Sequence, residues 1–202
     1  GFQLNSQNVA QNVADFIGKR LQNHNPNIRL IHARAKTSDL SPDDPNILAP
    51  MLASNWIFMG PGSPTYTVRQ LKNSLALKYL TGLHFYGAAL TFSSAAVLAI
   101  SSLTIPIYEI YKVGEDLHWV NGLNFLDNYG LNVVCVPHWN NQDGGENLDT
   151  SRCFMGIHRF EILKGLLKSP KTIIGIDEQT ALCLPFNEKK SCMVFGKGSV
   201  TI

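Results

Sequence analysis

Residues 89–97 read Ala-Leu-Thr-Phe-Ser-Ser-Ala-Ala-Val, and this stretch decides how we interpret the fold. An apolar run stops at two serines, and small residues that favour a helix follow. The pattern is typical of the strand-to-helix elbow on which α/β hydrolases mount a serine nucleophile. The same residues also fit an ordinary serine cap at a helix start, so the choice between the two interpretations depends on the neighbouring segments.

Segments that predict helices and strands alternate on both sides of the elbow. Helices are predicted near residues 7–22 (capped by Ser6), 47–53, 68–75 and 159–167, and strands at 28–33, 55–59, 86–92, 131–136 and 172–176. This alternation predicts an α/β fold of three αβα layers, with helices on both faces of a mostly parallel sheet. Alternating residues in 181–184 and 192–195 predict a closing C-terminal antiparallel ribbon. We interpret residues 1–202 as a single domain.

The composition excludes several classes of protein. The chain has 202 residues, of which 45% are hydrophobic and 16% charged, and its formal net charge is +2 without a basic run. We therefore expect a globular protein that binds neither nucleic acid nor a membrane, because no apolar run approaches the roughly 20 residues of a bilayer span. Four widely spaced cysteines predict reduced thiols and a cytoplasmic location.

Polar residues follow three predicted strands and could supply the groups of a serine hydrolase. Ser94 stands at the elbow, His138 follows the strand 131–136, and Glu178 follows the strand 172–176. Such a reaction needs a nucleophile, a base, an orienting acid and amide donors for the oxyanion. The donors would be the backbone amides of Ala95 and Gly62. Each residue alone also fits an ordinary structural role.

Four motifs occur together in one order along the chain. They are Gly-Pro-Gly-Ser-Pro at 60–64, Ser-Ser-Ala-Ala at 93–96, the strand-end His138, and Gly-Ile-Asp-Glu-Gln-Thr-Ala at 175–181. Over about residues 28–202 the chain resembles the cyanophycinase and dipeptidase E family of serine peptidases, which have the class I glutamine amidotransferase-like fold, a flavodoxin-like architecture. The resemblance implies that Ser94 is the nucleophile, His138 the base and Glu178 the acid. It also implies cleavage of peptide bonds next to acidic residues, including the β-linked aspartyl-arginine units of cyanophycin.

The chain departs from the family pattern at the elbow and beside the histidine. Phe92 and Ala96 replace the two glycines of the elbow, while Pro137 and Trp139 stand where the peptidases favour Gln and Phe. These changes leave open a second hypothesis, a catalytically degenerate member that binds a small ligand or serves as an assembly subunit. Amidotransferase chemistry is disfavoured, because that class uses a cysteine nucleophile and the elbow has none.

We expect the substrate to be small and peptide-like or derived from amino acids. The candidate binding residues are Ser63, Glu109, Lys112, Trp139, Asn140 and Arg159. Residues 108–119 are dense in aromatic and ionisable side chains, which indicates either a ligand-binding segment or a solvated loop. We expect no metal or cofactor, because the grouping of His138, Asp143, Glu146 and Asp149 matches no known ligand motif.

The chain opens almost directly on its first predicted helix, whereas folds of this family begin with a strand. We therefore expect that the first strand was lost or is supplied by sequence outside these residues. An exposed sheet edge near Gly1 would invite pairing. Such pairing would join the chain to a partner or to a second copy in a homo-oligomer.

Overall fold

A computed structural model describes residues 6–186 and 191–202 of the chain. These residues form two compact units, the first made of residues up to 62 together with 69–91 and the second of 63–68 together with 92–202. That both units belong to one domain stays a prediction. The sheet edge expected near Gly1 lies outside the described residues.

The first unit is mainly helical. Its elements are helix α1 (Ser6–Arg20), a short 3-10 turn (Gln22–His24), helix α2 (Pro45–Leu52), strand β1 (Trp56–Met59), the end of helix α3 (Pro64–Leu71), helix α4 (Leu75–Phe85) and most of strand β2 (Ala89–Phe92), which pairs with β1. Asp44 and Ser74 cap α2 and α4 by accepting hydrogen bonds from backbone amides. The cap predicted at Ser6 adjoins residues outside the described range and stays a prediction.

Two predictions for this unit are wrong. Residues 28–33 form no strand with any part of the described chain, and their apolar side chains are only partly buried. Just beyond them the Arg34 amide donates to the Leu40 carbonyl, so the chain forms a closed loop there instead of pairing as a strand. The helix predicted over 68–75 is divided in two, because Asn73 takes a positive φ of 61° and Ser74 then caps the next helix.

The second unit carries most of the strands. Its elements are the start of α3, the last residue of β2, helix α5 (Ala95–Ile100), strand β3 (Leu103–Thr104), a π-helical turn (Glu109–Val113), strand β4 (Val120–Asn121), a 3-10 turn (Phe125–Tyr129), strand β5 (Val133–Val136), helix α6 (Gly156–Gly165) and strands β6 (Thr172–Ile176), β7 (Thr180–Cys183), β8 (Met193–Gly196) and β9 (Val200–Thr201). The unit is thus a mixed α/β structure.

Parallel pairing of β5 with β6 organises the candidate site. Val133 lies opposite Thr172, and Val136 lies opposite Gly175. All four residues of β5 are buried, as expected for a strand covered on both faces. Because both carboxyl ends meet at one edge, His138 and Glu178 follow their strands at the same edge. Strand β9 pairs antiparallel with β6, and β7 with β8 forms the predicted ribbon.

A hydrophobic core joins α5, β5 and α6 in this unit. Its buried members are Leu98, Ile105, Ile107, Ile110, Val134, Val136, Cys153, Met155, Phe160 and Leu163. At the end of α5 the buried Ser101 hydroxyl donates to the Val97 carbonyl at 3.1 Å and accepts from the Cys135 amide at 2.8 Å. Ser101 thereby fixes the helix that follows Ser94 to the strand that precedes His138.

The four cysteines are free thiols, two of them buried and two exposed. Burial raises the pKa of Cys135 to about 11 and that of Cys153 to about 12. Both buried thiols therefore stay protonated at neutral pH, so neither is a nucleophile there. In residues 6–186 and 191–202, no helix combines the length and the apolar character that a membrane crossing requires.

Candidate functional site

Ser94 lies at a sharp turn between β2 and α5. Its backbone has φ 53° and ψ −120°, a conformation that L-residues other than glycine rarely adopt. Every residue of α5 behind it is buried, including Ala96 at the position where the family pattern has glycine. The backbone strain is therefore held in place by packing, as is common at functional sites.

Because the backbone at Ser94 is strained, we expect glycine at this position to give a more stable protein than alanine, the reverse of the usual order. The free energy of unfolding of Ser94→Gly should exceed that of Ser94→Ala by about 1 kcal/mol, because glycine accepts this φ without a Cβ penalty. Both variants lack the hydroxyl, so urea unfolding of the pair isolates the backbone term. Ser93 has no positive φ and serves as the control, where glycine should bring no gain over alanine. A less stable glycine variant at residue 94 would contradict the strain.

His138 contacts Ser94 through one ring nitrogen. The distance from His138 Nε2 to Ser94 Oγ is 3.0 Å. The His138 backbone has φ 52°, and its carbonyl accepts hydrogen bonds from the amides of Asn141 and Cys153. A ring contact of 5.5 Å with Phe154 borders the imidazole. Hydrogen bonds and packing therefore fix His138 from both its backbone and its ring.

Glu178 contacts the other ring nitrogen of His138. Its Oε1 lies 2.9 Å from His138 Nδ1, and the two side chains are only partly exposed, at 28% for His138 and 38% for Glu178. A carboxylate only accepts hydrogen bonds, so Nδ1 carries the proton and Nε2 is left to accept from the Ser94 hydroxyl. The arrangement is a hydrogen-bonded chain from serine through histidine to glutamate.

Phe92 and Trp139 do not separate Ser94 from His138. The Phe92 ring packs edge-on against Phe125 with centroids 5.6 Å apart. The Trp139 indole packs edge-on against Phe160 at 5.2 Å, and the Arg152 guanidinium lies 3.9 Å from its centre. Phe92 and Trp139, which depart from the family pattern, therefore pack against neighbouring side chains.

The two predicted oxyanion donors belong to different units. Ala95 provides the first amide of α5, and among the described residues no group accepts its hydrogen. Gly62 lies in the first unit, in a bend where an added Cβ would meet nothing within 4 Å. Donation to an oxyanion by either amide stays a prediction.

Three predicted binding residues have structural contacts of their own. Ser63 is buried and accepts a hydrogen bond from the Tyr66 amide at the start of α3. One oxygen of Glu109 accepts from Thr65 at 2.5 Å, and its other oxygen is buried without a partner in the described structure. The Lys112 ammonium lies 5.0 Å from the centre of the Tyr108 ring. Contact of these residues with a substrate stays a prediction.

The remaining predicted binding residues also have defined partners. Asn140 Oδ1 accepts from the Glu178 amide at 2.8 Å, which brings Asn140 to the acid. Arg159 donates to the carbonyls of Met155 and Phe154 within its own helix region. Trp139 donates its amide to the Ile176 carbonyl at 3.1 Å. Of the six predicted binding residues, Asn140 is thus the one with a direct hydrogen bond to Glu178.

Sequence reasoning missed Asn141. Only 2% of this residue is exposed, and its side-chain amide donates to Glu178 Oε1 at 2.7 Å. The available signal was an asparagine pair two and three residues after the strand-end His138. In a loop this polar, one buried asparagine cannot be told from its solvated neighbours by sequence.

The acidic loop after His138 does not assemble a cluster of metal-binding side chains. Across residues 6–186 and 191–202, no three side chains of His, Cys, Asp or Glu lie together as metal ligands would. Asp149 instead holds the start of α6, where its Oδ2 accepts from the Ile157 amide at 2.8 Å. Hydrogen bonds from Ser151 and Ile157 hold the pKa of Asp149 below its usual value.

Comparison with known proteins identifies the fold. The chain superposes with a TM-score of 0.67 on the crystal structure of a peptidase from an acI-B1 Actinobacterium, at 19% identity, covering 98% of this chain and 71% of the other. The chain has the fold of that peptidase. A putative Peptidase E protein from Listeria monocytogenes EGD-e has a TM-score of 0.49 at 16% identity, with 76% and 65% of the two chains covered. No family model and no curated protein sequence matches the chain.

Proposed function

We propose that the protein is a serine hydrolase that cleaves a peptide or amide bond. The observation that carries the proposal is the hydrogen-bonded chain of Ser94, His138 and Glu178, with distances of 3.0 Å and 2.9 Å. The strained backbone at Ser94 and the fold shared with a peptidase add support. Three side chains with these roles, in this order, are what nucleophilic acyl transfer requires.

The reaction follows from the positions of the protons. His138 Nε2 takes the hydroxyl proton of Ser94 as Oγ attacks the substrate carbonyl carbon, and the carbonyl oxygen becomes an oxyanion. The Ala95 amide would donate to this oxygen. His138 then gives the proton to the leaving amine, the C–N bond breaks, and an ester to Ser94 remains. Water, deprotonated by His138, hydrolyses the ester and releases a carboxylic acid.

Glu178 is the positioning acid in this proposal. It holds the tautomer of His138 with the proton on Nδ1, and its negative charge stabilises the imidazolium that forms after proton transfer. Glu178 does not itself need to accept the proton. An acid that follows the strand next to β5 is well placed for this role, because both strands end at one edge.

The substrate class and the finer family are part of the proposal. We propose a member of the cyanophycinase and dipeptidase E family, with the three-layer αβα arrangement of the amidotransferase-like fold. The motif at residues 175–181 supports this placement. The substrate is then a small peptide cleaved next to an acidic residue, handled in the cytoplasm without a cofactor.

A fluorophosphonate probe tests the proposal, because it reacts with serines that are activated by a base. Wild-type protein should be labelled on Ser94, as located by mass spectrometry of the digested protein. Ser94→Ala should abolish labelling, and the neighbouring Ser93→Ala should retain it. A folded wild-type sample that takes no label would favour the alternative, a degenerate member that binds a small ligand or serves as an assembly subunit.

A further inference from the structure

We infer that Asn141 is a positioning residue that holds Glu178 in place for His138. The inference rests on the proposed function for its kinetic meaning, and on the contacts of the loop 139–151 for its physical basis. Asn141 is buried at 2% exposure, although it lies in a loop whose neighbours Gln142 and Asp143 are exposed. A buried polar side chain is costly unless its hydrogen bonds are made, so its partners indicate its purpose.

The Asn141 side chain makes three hydrogen bonds, two through its nitrogen and one through its oxygen. Nδ2 donates to Glu178 Oε1 at 2.7 Å and to Asp143 Oδ2 at 3.0 Å. Oδ1 accepts from the Asp143 amide at 3.2 Å. Two carboxylates accept from one amide nitrogen, which requires the side chain to be oriented with its nitrogen towards both. Neither aspartate nor leucine at this position could donate these bonds.

Asn141 acts on the same carboxylate oxygen that accepts from His138. Glu178 Oε1 accepts hydrogen bonds from both the imidazole Nδ1 of His138 and the side-chain amide of Asn141. Two donors on one oxygen fix the direction of the carboxylate, and Asn140 fixes its backbone by accepting from the Glu178 amide. Glu178 also lines an open pocket of about 520 Å³, together with Gln142, Asp143, Gln179 and Lys197. Without Asn141, the half-exposed Glu178 could rotate into that space.

The test compares Asn141→Asp with a swapped pair, Asn141→Asp combined with Asp143→Asn. The single variant removes both donated bonds and sets three carboxylates together. The swapped pair restores the net charge and allows residue 143 to donate to residue 141, but it leaves Glu178 without its donor. Asn147→Asp is the matched control, because Asn147 is exposed in the same loop and the change of charge is identical.

Three readouts separate positioning from loop stability. In the swapped pair we expect the urea midpoint to recover towards wild type, while fluorophosphonate labelling of Ser94 stays about 10- to 100-fold slower, because misplaced catalytic groups cost rates of this order. The low-field NMR signal of the His138 Nδ1 proton should be present in wild type and in Asn147→Asp, and weakened or lost in the swapped pair.

Recovery of both the labelling rate and the NMR signal in the swapped pair would overturn the inference, since Asn141 would then serve only the loop. The NMR comparison needs no hydrolysis. A wild-type protein that takes no label would therefore refute the proposed function, while the NMR signal would still decide whether Asn141 acts through Glu178. Loss of the signal only in the variants that lack the Asn141 donor would support the inference in either case.

Discussion

Replacing His138 with alanine is expected to lower kcat/KM for the best peptide substrate at least about 10³-fold, because the general base of a serine hydrolase cannot be spared. The His138 Nε2 atom lies 3.0 Å from Ser94 Oγ, so its loss leaves the hydroxyl without a proton acceptor. A peptide library that contains acidic residues supplies the substrate, and steady-state kinetics supplies the measurement. The same variant should slow fluorophosphonate labelling of Ser94.

Two further variants, a control and a change to the positioning acid, are compared with His138→Ala. His158→Ala removes an exposed histidine from α6 in the same unit and should leave kcat/KM unchanged. Glu178→Gln should also cost several orders of magnitude, because a neutral amide does not stabilise the imidazolium. If His138→Ala retained more than about a tenth of the wild-type value, proton transfer by His138 would have to be abandoned.

That Ser94, His138 and Glu178 lie together could be predicted from the sequence because each follows a strand. His138 and Glu178 stand two residues beyond β5 and β6, which pair in parallel and end at one edge. Ser94 stands at an elbow between a strand and a helix of small residues. Strand ends are set by local patterns, and the edge at which they meet is set by topology. This part of the site therefore needed no knowledge of side-chain packing.

The roles of the surrounding side chains depend on packing that no pattern encodes. The sequence predicts that Ser63 binds substrate, which stays a prediction, and the structure adds that Ser63 is buried and accepts from the Tyr66 amide at the start of α3. The same prediction stands for Trp139 and Arg159. In the structure the Arg152 guanidinium lies over the Trp139 ring, and Arg159 donates to the carbonyls of Met155 and Phe154. A long polar or aromatic side chain near a site has several partners within reach. Only tertiary structure decides among them.

The failed strand at 28–33 shows another limit. Its residues have the apolar character of a strand, but a strand exists only where another strand offers backbone partners. Within the described residues none does, and the side chains stay partly exposed. Conversely, the Gly-Ile-Asp-Glu motif is recognisable in the sequence, but the pattern alone does not explain why its first residue is glycine. That reason lies in the contact between Gly175 and Trp139.

Gly175→Ala is expected to destabilise the protein by about 3 kcal/mol, because overpacking a filled core costs energy of this order. A Cβ at residue 175 would lie 2.2 Å from Trp139 Cδ2, far inside contact distance. The indole cannot withdraw, since Phe160 and Arg152 pack against it. Urea unfolding measures the loss. Because Trp139 directly follows His138, labelling of Ser94 should slow as well.

Gly165→Ala is the matched control, because an added Cβ there meets nothing within 4 Å. It should change stability by no more than about 0.5 kcal/mol. Combining Gly175→Ala with Trp139→Leu tests the contact itself, since the smaller side chain makes room for the new methyl group. The double variant should be more stable than the sum of the single losses predicts, by at least about 1 kcal/mol. Strict additivity would mean that the motif glycine is required for a reason other than the indole that packs against it.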